Sequence, residues 1–209
     1  MYEAVLWDFG GVILSSPFEA FNRYEQERGL PVDFLRTVNA TDPHTNAWAR
    51  LERSDITPSE FDHAFAADAL ALGHHVPGAE VLALLAGDVR PEMVTALDRV
   101  KAAGFRTACL TNNISGEHVS SARSDTIASI MARFDAVIES SKVGVRKPEP
   151  RFYEIACEAL HVEPAACVFL DDLGINLKPA AAMGMHTIKV VSVDQAISDL
   201  EAALELSLR

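Results

Sequence analysis

The stretch at residues 5–14, VLWDFGGVIL, narrows the fold of this chain more than any other. An apolar run reaches Asp8 and then breaks into Gly10-Gly11. A strand covered on both faces reads as an unbroken apolar run, which is the pattern of a parallel sheet with helices above and below it. Asp8 then stands at the carboxyl end of that strand, with a tight glycine turn behind it. In open parallel α/β sheets the ligand crevice lies outside the carboxyl ends of the strands. On this stretch alone, Asp8 reads equally well as a cap for the turn and as a nucleophile or metal ligand. Other segments shift the balance.

Residues 18–88 contain no run with strand character. Ser16-Pro17-Phe18-Glu19 has the form of a helix start, with Ser16 as cap, Pro17 in the first turn and Glu19 completing a capping box. That helix should run through Phe18, Phe21 and Tyr24 and stop at Gly29. Thr57-Pro58-Ser59-Glu60 repeats the device for a helix ending near Gly73, and shorter helices are expected at 32–39, 47–53 and 79–86. From Arg90 onward helix and strand alternate. Helices are expected at 91–103, 150–160 and 177–183, and strands at 106–110, 136–139, 166–170 and 186–191. The segment 114–131 is polar and then helical, and Ser192-Val193-Asp194-Gln195 is a third capping box that opens the terminal helix. This rhythm predicts an α/β fold, a doubly wound parallel sheet. Residues 1–16 and 89–209 form the core domain, and 17–88 form a helical cap inserted after the first strand.

With 49% of its 209 residues hydrophobic, the chain can bury a sizeable core. Its formal charge of −12 argues against a nucleic acid or an anionic membrane as partner. An anionic small molecule would need a local positive potential that overrides this field. Cys109, Cys157 and Cys167 show no CxxC spacing and read as small core residues in a reducing compartment. The N-terminus lacks the pattern of a secretory leader, and the apolar stretches are too short to span a bilayer. These features lead to the expectation of a soluble, cytoplasmic protein.

Three expected strands end in polar residues suited to a single site, namely Asp8, then Thr111-Asn112, then Asp171-Asp172. In a parallel sheet those ends share an edge. Asp8 and Asp172 crowded together repel, which favours a divalent cation between them, and hard oxygen ligands suit Mg²⁺. Thr111 and Asn112 can donate hydrogen bonds to phosphate oxygens. Lys147, in Val145-Arg146-Lys147-Pro148-Glu149-Pro150, precedes a helix and supplies a point charge to an anion or to a carboxylate nucleophile. Asp8 would then attack phosphorus and form an aspartyl-phosphate, with most of the rate coming from positioning and charge neutralisation.

With these motifs in order, the chain resembles the haloacid dehalogenase (HAD) superfamily of hydrolases. Within it, the sequence is similar to the N-terminal phosphatase domain of soluble epoxide hydrolases and to the HAD-like domains of some acyl-CoA dehydrogenases. The likeness is carried by Ile138-Glu139-Ser140, Val143-Gly144, Lys147-Pro148-Glu149-Pro150 and the stretch 169–180, FLDDLGINLKPA. The resemblance implies a Rossmann-like core and a Mg²⁺-dependent phosphatase acting on a small phosphorylated molecule. It implies Asp8 as nucleophile and metal ligand, Asp172 as the second carboxylate ligand, and the backbone carbonyl of Gly10 as a third. Asp171 and Asn176 would support the metal site, Thr111 and Asn112 would hold the phosphoryl group, and Lys147 would bridge it to Asp8.

Gly10 departs from the phosphatase pattern, which places a general acid–base Asp two residues after the nucleophile. Two alternatives follow: a metal-free hydrolase that uses Asp8 on carbon, and a nearly inactive ligand-binding domain. The Asp171-Asp172 pair argues against the first, and the joint presence of Asp8, Lys147 and Asp172 argues against the second. Elsewhere the plainer readings are favoured. Trp48 is expected to pack the cap interior, with Arg50 and Arg53 solvated. Lys142, His74-His75, Asp125 and Asp135 are expected at the surface or in turns.

Overall fold

The computed structural model describes residues 2–85, 87–113 and 121–209. The polar part of the segment foreseen at 114–131 lies outside the described residues, as does the side chain of Glu19 in the first expected capping box. Along the chain, β1 (Ala4–Trp7) is followed by α1 (Phe18–Arg28), α2 (Phe34–Ala40), α3 (Ala47–Glu52), α4 (Pro58–Ala71) and α5 (Gly78–Ala83). Then come α6 (Pro91–Ala102), β2 (Arg106–Thr111), α7 (Ser121–Met131), β3 (Ala136–Glu139), α8 (Ser140–Val143) and α9 (Pro150–Leu160). The chain closes with β4 (Cys167–Asp171), α10 (Gly174–Ala182), β5 (His186–Lys189) and α11 (Val193–Leu204).

The strands form one parallel sheet in the order β3-β2-β1-β4-β5, so β1 is central. Trp7 is in register with Cys109 of β2 and Leu170 of β4. Successive side chains of a strand point to opposite faces, and both faces of β1 are sealed. Val5 and Trp7 pack with Met93, Leu97, Ile197 and Leu200 of α6 and α11, while Ala4 and Leu6 pack with Phe152, Tyr153 and Leu177 of α9 and α10. All four β1 residues are fully buried, which is the physical reason the strand is apolar without alternation. Cys109, Cys157 and Cys167 are buried and free. Among the described residues no helix is long and apolar enough to cross a membrane.

Helices α1–α5 enclose an apolar centre of their own, built on Phe21, Leu35, Leu51, Phe61, Phe65 and Val81. Thr57 makes the expected capping box with Glu60, and Ser192 makes another with Gln195. Trp48 lies edge-on to Phe61 with ring centroids 5.4 Å apart, and His74 packs edge-on to Phe34. Two expectations fail here. Ser16 does not cap α1, whose N-cap is Pro17 without a side-chain bond; the Ser16 hydroxyl instead donates to Asp172 Oδ2 at 3.2 Å. Arg53 is not solvated, because Glu149 Oε1 accepts from its Nε at 2.9 Å and its Nη2 at 2.6 Å. Arg50 is exposed as foreseen.

The two connections to this helical insertion run side by side. Leu14 bridges Val89, Ser15 N donates to Asp88 O at 2.7 Å, and Arg90 N donates to Ile13 O at 2.9 Å. Gly87 is required at the crossing, since a Cβ there would sit 2.4 Å from Ser15 O. Two further differences from the expected elements are local. Helix α10 begins three residues early because the Asp171 carboxylate accepts Leu173 N at 2.8 Å and turns the chain directly into the helix. The four-residue α8 is too short to leave a periodic signal.

Candidate active site

The sheet topology brings the carboxyl ends of β1, β2 and β4 together, and with them Asp8, Thr111, Asn112, Asp171 and Asp172. Asp8, at the end of β1, is buried, and its Oδ1 accepts the Phe9 amide at 2.6 Å. The chain then makes a tight turn over Phe9–Ile13, closed by Leu14 N donating to Phe9 O at 2.8 Å. Gly11 has φ of 77°, and a Cβ on it would lie 2.2 Å from Asp172 Oδ2. A side chain at residue 11 would therefore meet both backbone strain and a carboxylate. Gly10 is different: its φ is −70° and nothing lies within 4 Å of a Cβ built there. Arg90 Nη1 donates to Gly11 O at 2.7 Å and fixes the turn from the second connection.

Lys147 reaches this centre from the loop before α9. Its Nζ lies 2.7 Å from Asp8 Oδ1 and 2.8 Å from Asp171 Oδ2, with the side chain only 1% exposed. Asp171 is fully committed: Oδ1 accepts Leu173 N, and both oxygens accept Asn176 Nδ2 at 3.0 and 3.1 Å. Asn176 is held in turn by Tyr153, whose hydroxyl donates to the Asn176 carbonyl at 2.7 Å. One carboxylate oxygen from each of Asp8, Asp171 and Asp172 falls within 4.8 Å of the others.

Burial raises the pKa of Asp8 well above the ordinary carboxylate range, against the pull of Lys147. Burial also pushes Asp172 up, to about 6, with Asp171 adding repulsion. Burial alone would lower the Lys147 pKa, yet the Asp171 and Asp8 carboxylates raise it above its ordinary value. The centre is thus short of positive charge around Asp172. Three acidic oxygens of this kind suit a hard divalent cation such as Mg²⁺.

The repulsion has a measurable consequence. An acid whose pKa is raised in the native state destabilises it once the pH exceeds that pKa, and the cost vanishes below the unfolded-state value. In EDTA, Asp172→Asn is expected to stabilise the protein by about 2–3 kcal/mol above pH 7. The gain should shrink as the pH falls from 6 toward 4. Thermal unfolding of both proteins across that range checks it, and a pH-independent difference would refute the assignment.

Thr111 is buried at the end of β2 and lines the cavity. The Asn112 carboxamide bonds the main chain of Lys147: Nδ2 donates to Lys147 O at 3.0 Å and Oδ1 accepts Lys147 N at 2.9 Å. Two residues at the site escaped the sequence reading. Glu52, on α3, is buried and accepts Trp48 Nε1 at 2.9 Å and Asn112 Nδ2 at 3.3 Å. Arg146 pairs with Glu52 and donates Nη1 to Pro43 O at 2.9 Å. Burial raises the Glu52 pKa, and Arg146 opposes that rise. Asn113 joins the ends of β2 and β3 through Ser140 and Glu139. The one sequence signal available was Arg146 beside Lys147; Glu52 had none. Lys142 is 72% exposed beside Glu139, as expected.

Between the helical insertion and the sheet edge lies a cavity of about 1120 Å³. Asp8, Thr111, Lys147 and Asp172 contribute to its lining, together with Phe18, Phe21, Trp48, Leu82, Leu85, Ile127 and Met131. Polar and apolar groups are thus combined in the lining of one cavity.

Comparisons with known proteins agree with this architecture. The family model for haloacid dehalogenase-like hydrolases matches residues 2–184. Acyl-CoA dehydrogenase family member 10 of Mus musculus is 34% identical over 212 residues, covering 99% of this chain and 20% of that protein. Bifunctional epoxide hydrolase 2 of Mus musculus is 34% identical over 210 residues, covering 93% of this chain and 37% of that protein. The chain thus spans well under half the length of these relatives. A HAD family enzyme of Bacteroides thetaiotaomicron, crystallised with magnesium and inorganic phosphate, shares the fold with a TM-score of 0.63 at 18% identity, over 96% of this chain and 99% of that one. The chain belongs to the haloacid dehalogenase-like hydrolases.

Proposed function

We propose that this haloacid dehalogenase-like hydrolase is a Mg²⁺-dependent phosphomonoesterase, with residues 17–88 acting as a cap over the site. The observation that carries the reading is the Asp8 carboxylate lining a large cavity, beside Lys147 and a second acidic pair. Asp8, Asp172 and the Gly10 carbonyl would hold the metal, with Asp171 and Asn176 in support. When bound, Mg²⁺ supplies positive charge that lets a carboxylate and a phosphate approach one another.

The chain's own groups divide the remaining roles. Asp8 Oδ1 is occupied by Phe9 N and Lys147 Nζ, which leaves Oδ2 to attack phosphorus. The bond from phosphorus to the ester oxygen breaks, and water then hydrolyses the aspartyl-phosphate. Lys147 offsets charge at Asp8, and Thr111 contributes a hydroxyl at the sheet edge. Asn112 acts by tethering the main chain of Lys147. The apolar lining from Phe18, Phe21, Leu82 and Met131 favours a phosphomonoester whose organic part is itself apolar. Carbon-centred chemistry without metal is disfavoured, because it gives no reason to crowd Asp172 beside Asp171.

The test is hydrolysis of p-nitrophenyl phosphate and of a 2-haloacid, each with Mg²⁺ and with EDTA. Turnover of the phosphate only, lost in EDTA, is expected; haloacid turnover that survives EDTA would sink the proposal. Gly10 sharpens the same experiment. Without a carboxyl there, the leaving alkoxide lacks the proton donor that the phosphatase pattern supplies at this position. General acid–base help is worth about 10²–10⁴-fold, and an aryl leaving group needs little of it. Space and backbone at Gly10 admit a side chain. Gly10→Asp should therefore raise single-turnover cleavage of an alkyl phosphate by about 10²-fold or more, and that of p-nitrophenyl phosphate far less. Wild-type single-turnover rates independent of leaving-group pKa would show that another residue donates the proton.

A further inference from the structure

We propose that Glu52 is a positioning residue that couples the seating of the cap to the placement of Lys147; its kinetic consequences rest on the phosphatase reading above. Glu52 is carried by α3 of the insertion, yet it is only 5% exposed and sits among groups of the core. Donors from both sides converge on its carboxylate: Trp48 Nε1 from its own helix, Asn112 Nδ2 from the end of β2, and the Arg146 guanidinium. Donors of this kind are the partners of a charged carboxylate. Asn112 in turn holds Lys147 by both its amide and its carbonyl, at 2.9 and 3.0 Å. One hydrogen bond therefore separates the cap carboxylate from the residue that fixes the main chain of Lys147.

Neighbouring contacts point the same way. Arg146 reaches back to Pro43 O, Arg53 grips Glu149, and Ser54 Oγ donates to Ser141 O at 3.3 Å. The cap thus offers Glu52 to an arginine of the 146–149 loop and Arg53 to a glutamate of the same loop, an arrangement with fixed register. A negative group lining a cavity meant for a phosphate would repel it unless paired, and Arg146 supplies the pairing. Removing Glu52 releases that guanidinium while loosening Asn112. Ligand binding should hold or improve, and the chemical step should suffer.

The test uses Glu52→Ala and Glu52→Gln, with Arg50→Ala as a control on the exposed side of α3. Hydrogen exchange reads the geometry without substrate. In Glu52→Ala, amides of residues 112–113, 145–147 and 149 should exchange about 10-fold faster, while those of β1 and β4 stay protected. In steady state with p-nitrophenyl phosphate, kcat should fall about 10–100-fold, since small misplacement of a catalytic group has effects of that size. KM should stay level or fall. Glu52→Gln, which still accepts from Trp48 or Asn112, should recover part of both losses. Unchanged exchange in those loops overturns the proposal whether or not the protein hydrolyses phosphate esters. So does a kcat equal to wild type, or a rise in KM with kcat preserved. A wild-type protein inert toward phosphate esters counts against the proposed function instead, and exchange still decides Glu52.

Discussion

Asp8→Asn is expected to reduce turnover by at least about 10⁴-fold, the scale seen when a nucleophile that acts with its partners is removed. A carboxamide can still accept the Phe9 amide, so the turn after β1 keeps its cap. On the proposed mechanism, what it loses is the negative charge that would form the bond to phosphorus and help to hold the metal. The fold should not weaken. Burial and the neighbouring Asp171 and Asp172 already oppose the charge on Asp8, and Lys147 retains Asp171 at 2.8 Å. The variant should therefore melt at or above the wild-type temperature in EDTA while single-turnover and steady-state hydrolysis both disappear. A few per cent of wild-type activity in a pure, folded sample would remove Asp8 from the nucleophile's role.

Lys147→Met carries the largest expected loss of stability. The substitution keeps an apolar stem and removes the ammonium that lies between Asp8 and Asp171, both buried. Removing one partner of a buried ion pair typically costs about 3–5 kcal/mol, because the remaining charge is left uncompensated. In a domain of this size that corresponds to a fall of roughly 10 °C in Tm. The orphaned Asp8 carboxylate will respond by taking up a proton. Its pKa, already raised by burial, rises further without Lys147, so the deficit should grow as the pH rises and narrow as it falls. Unfolding scans from pH 5 to 8 check both magnitude and slope. A variant that melts within about 2 °C of wild type at pH 8 would mean that the charge at this position contributes little.

The sheet was legible because its central strands are buried on both faces and leave continuous apolar runs, as at residues 4–7 and 167–170. The charged members of the centre were legible for a related reason. A carboxylate that follows such a run has to lie at the strand end, and parallel strands put those ends on one edge. Glu52 could not be found this way, since it enters the site from a short helix and its partners lie far along the chain. The bonds of Asn112 to the Lys147 main chain were hidden for the same cause, since residues 112 and 147 lie far apart in the sequence. Ser16 shows the competition openly. Its local pattern suits a helix cap, but the hydroxyl goes to Asp172, a tertiary partner that no local pattern encodes.

The central position of β1 also governs how the molecule comes into being. Strand β1 pairs with β2 and β4, both of which follow it in the chain, so Trp7 must wait for Cys109 and then for Leu170. Contacts between such distant segments slow folding, because the chain entropy of closing the loop is lost before the contacts reward it. The helical insertion lengthens the first of these loops, yet the cost grows only with the logarithm of length, about 0.6 kcal/mol per doubling. Asp8, Lys147 and Asp171 come from segments that meet only when the sheet is nearly whole. A partly synthesised chain therefore has no reactive centre, and the appearance of activity during refolding should coincide with completion of the sheet.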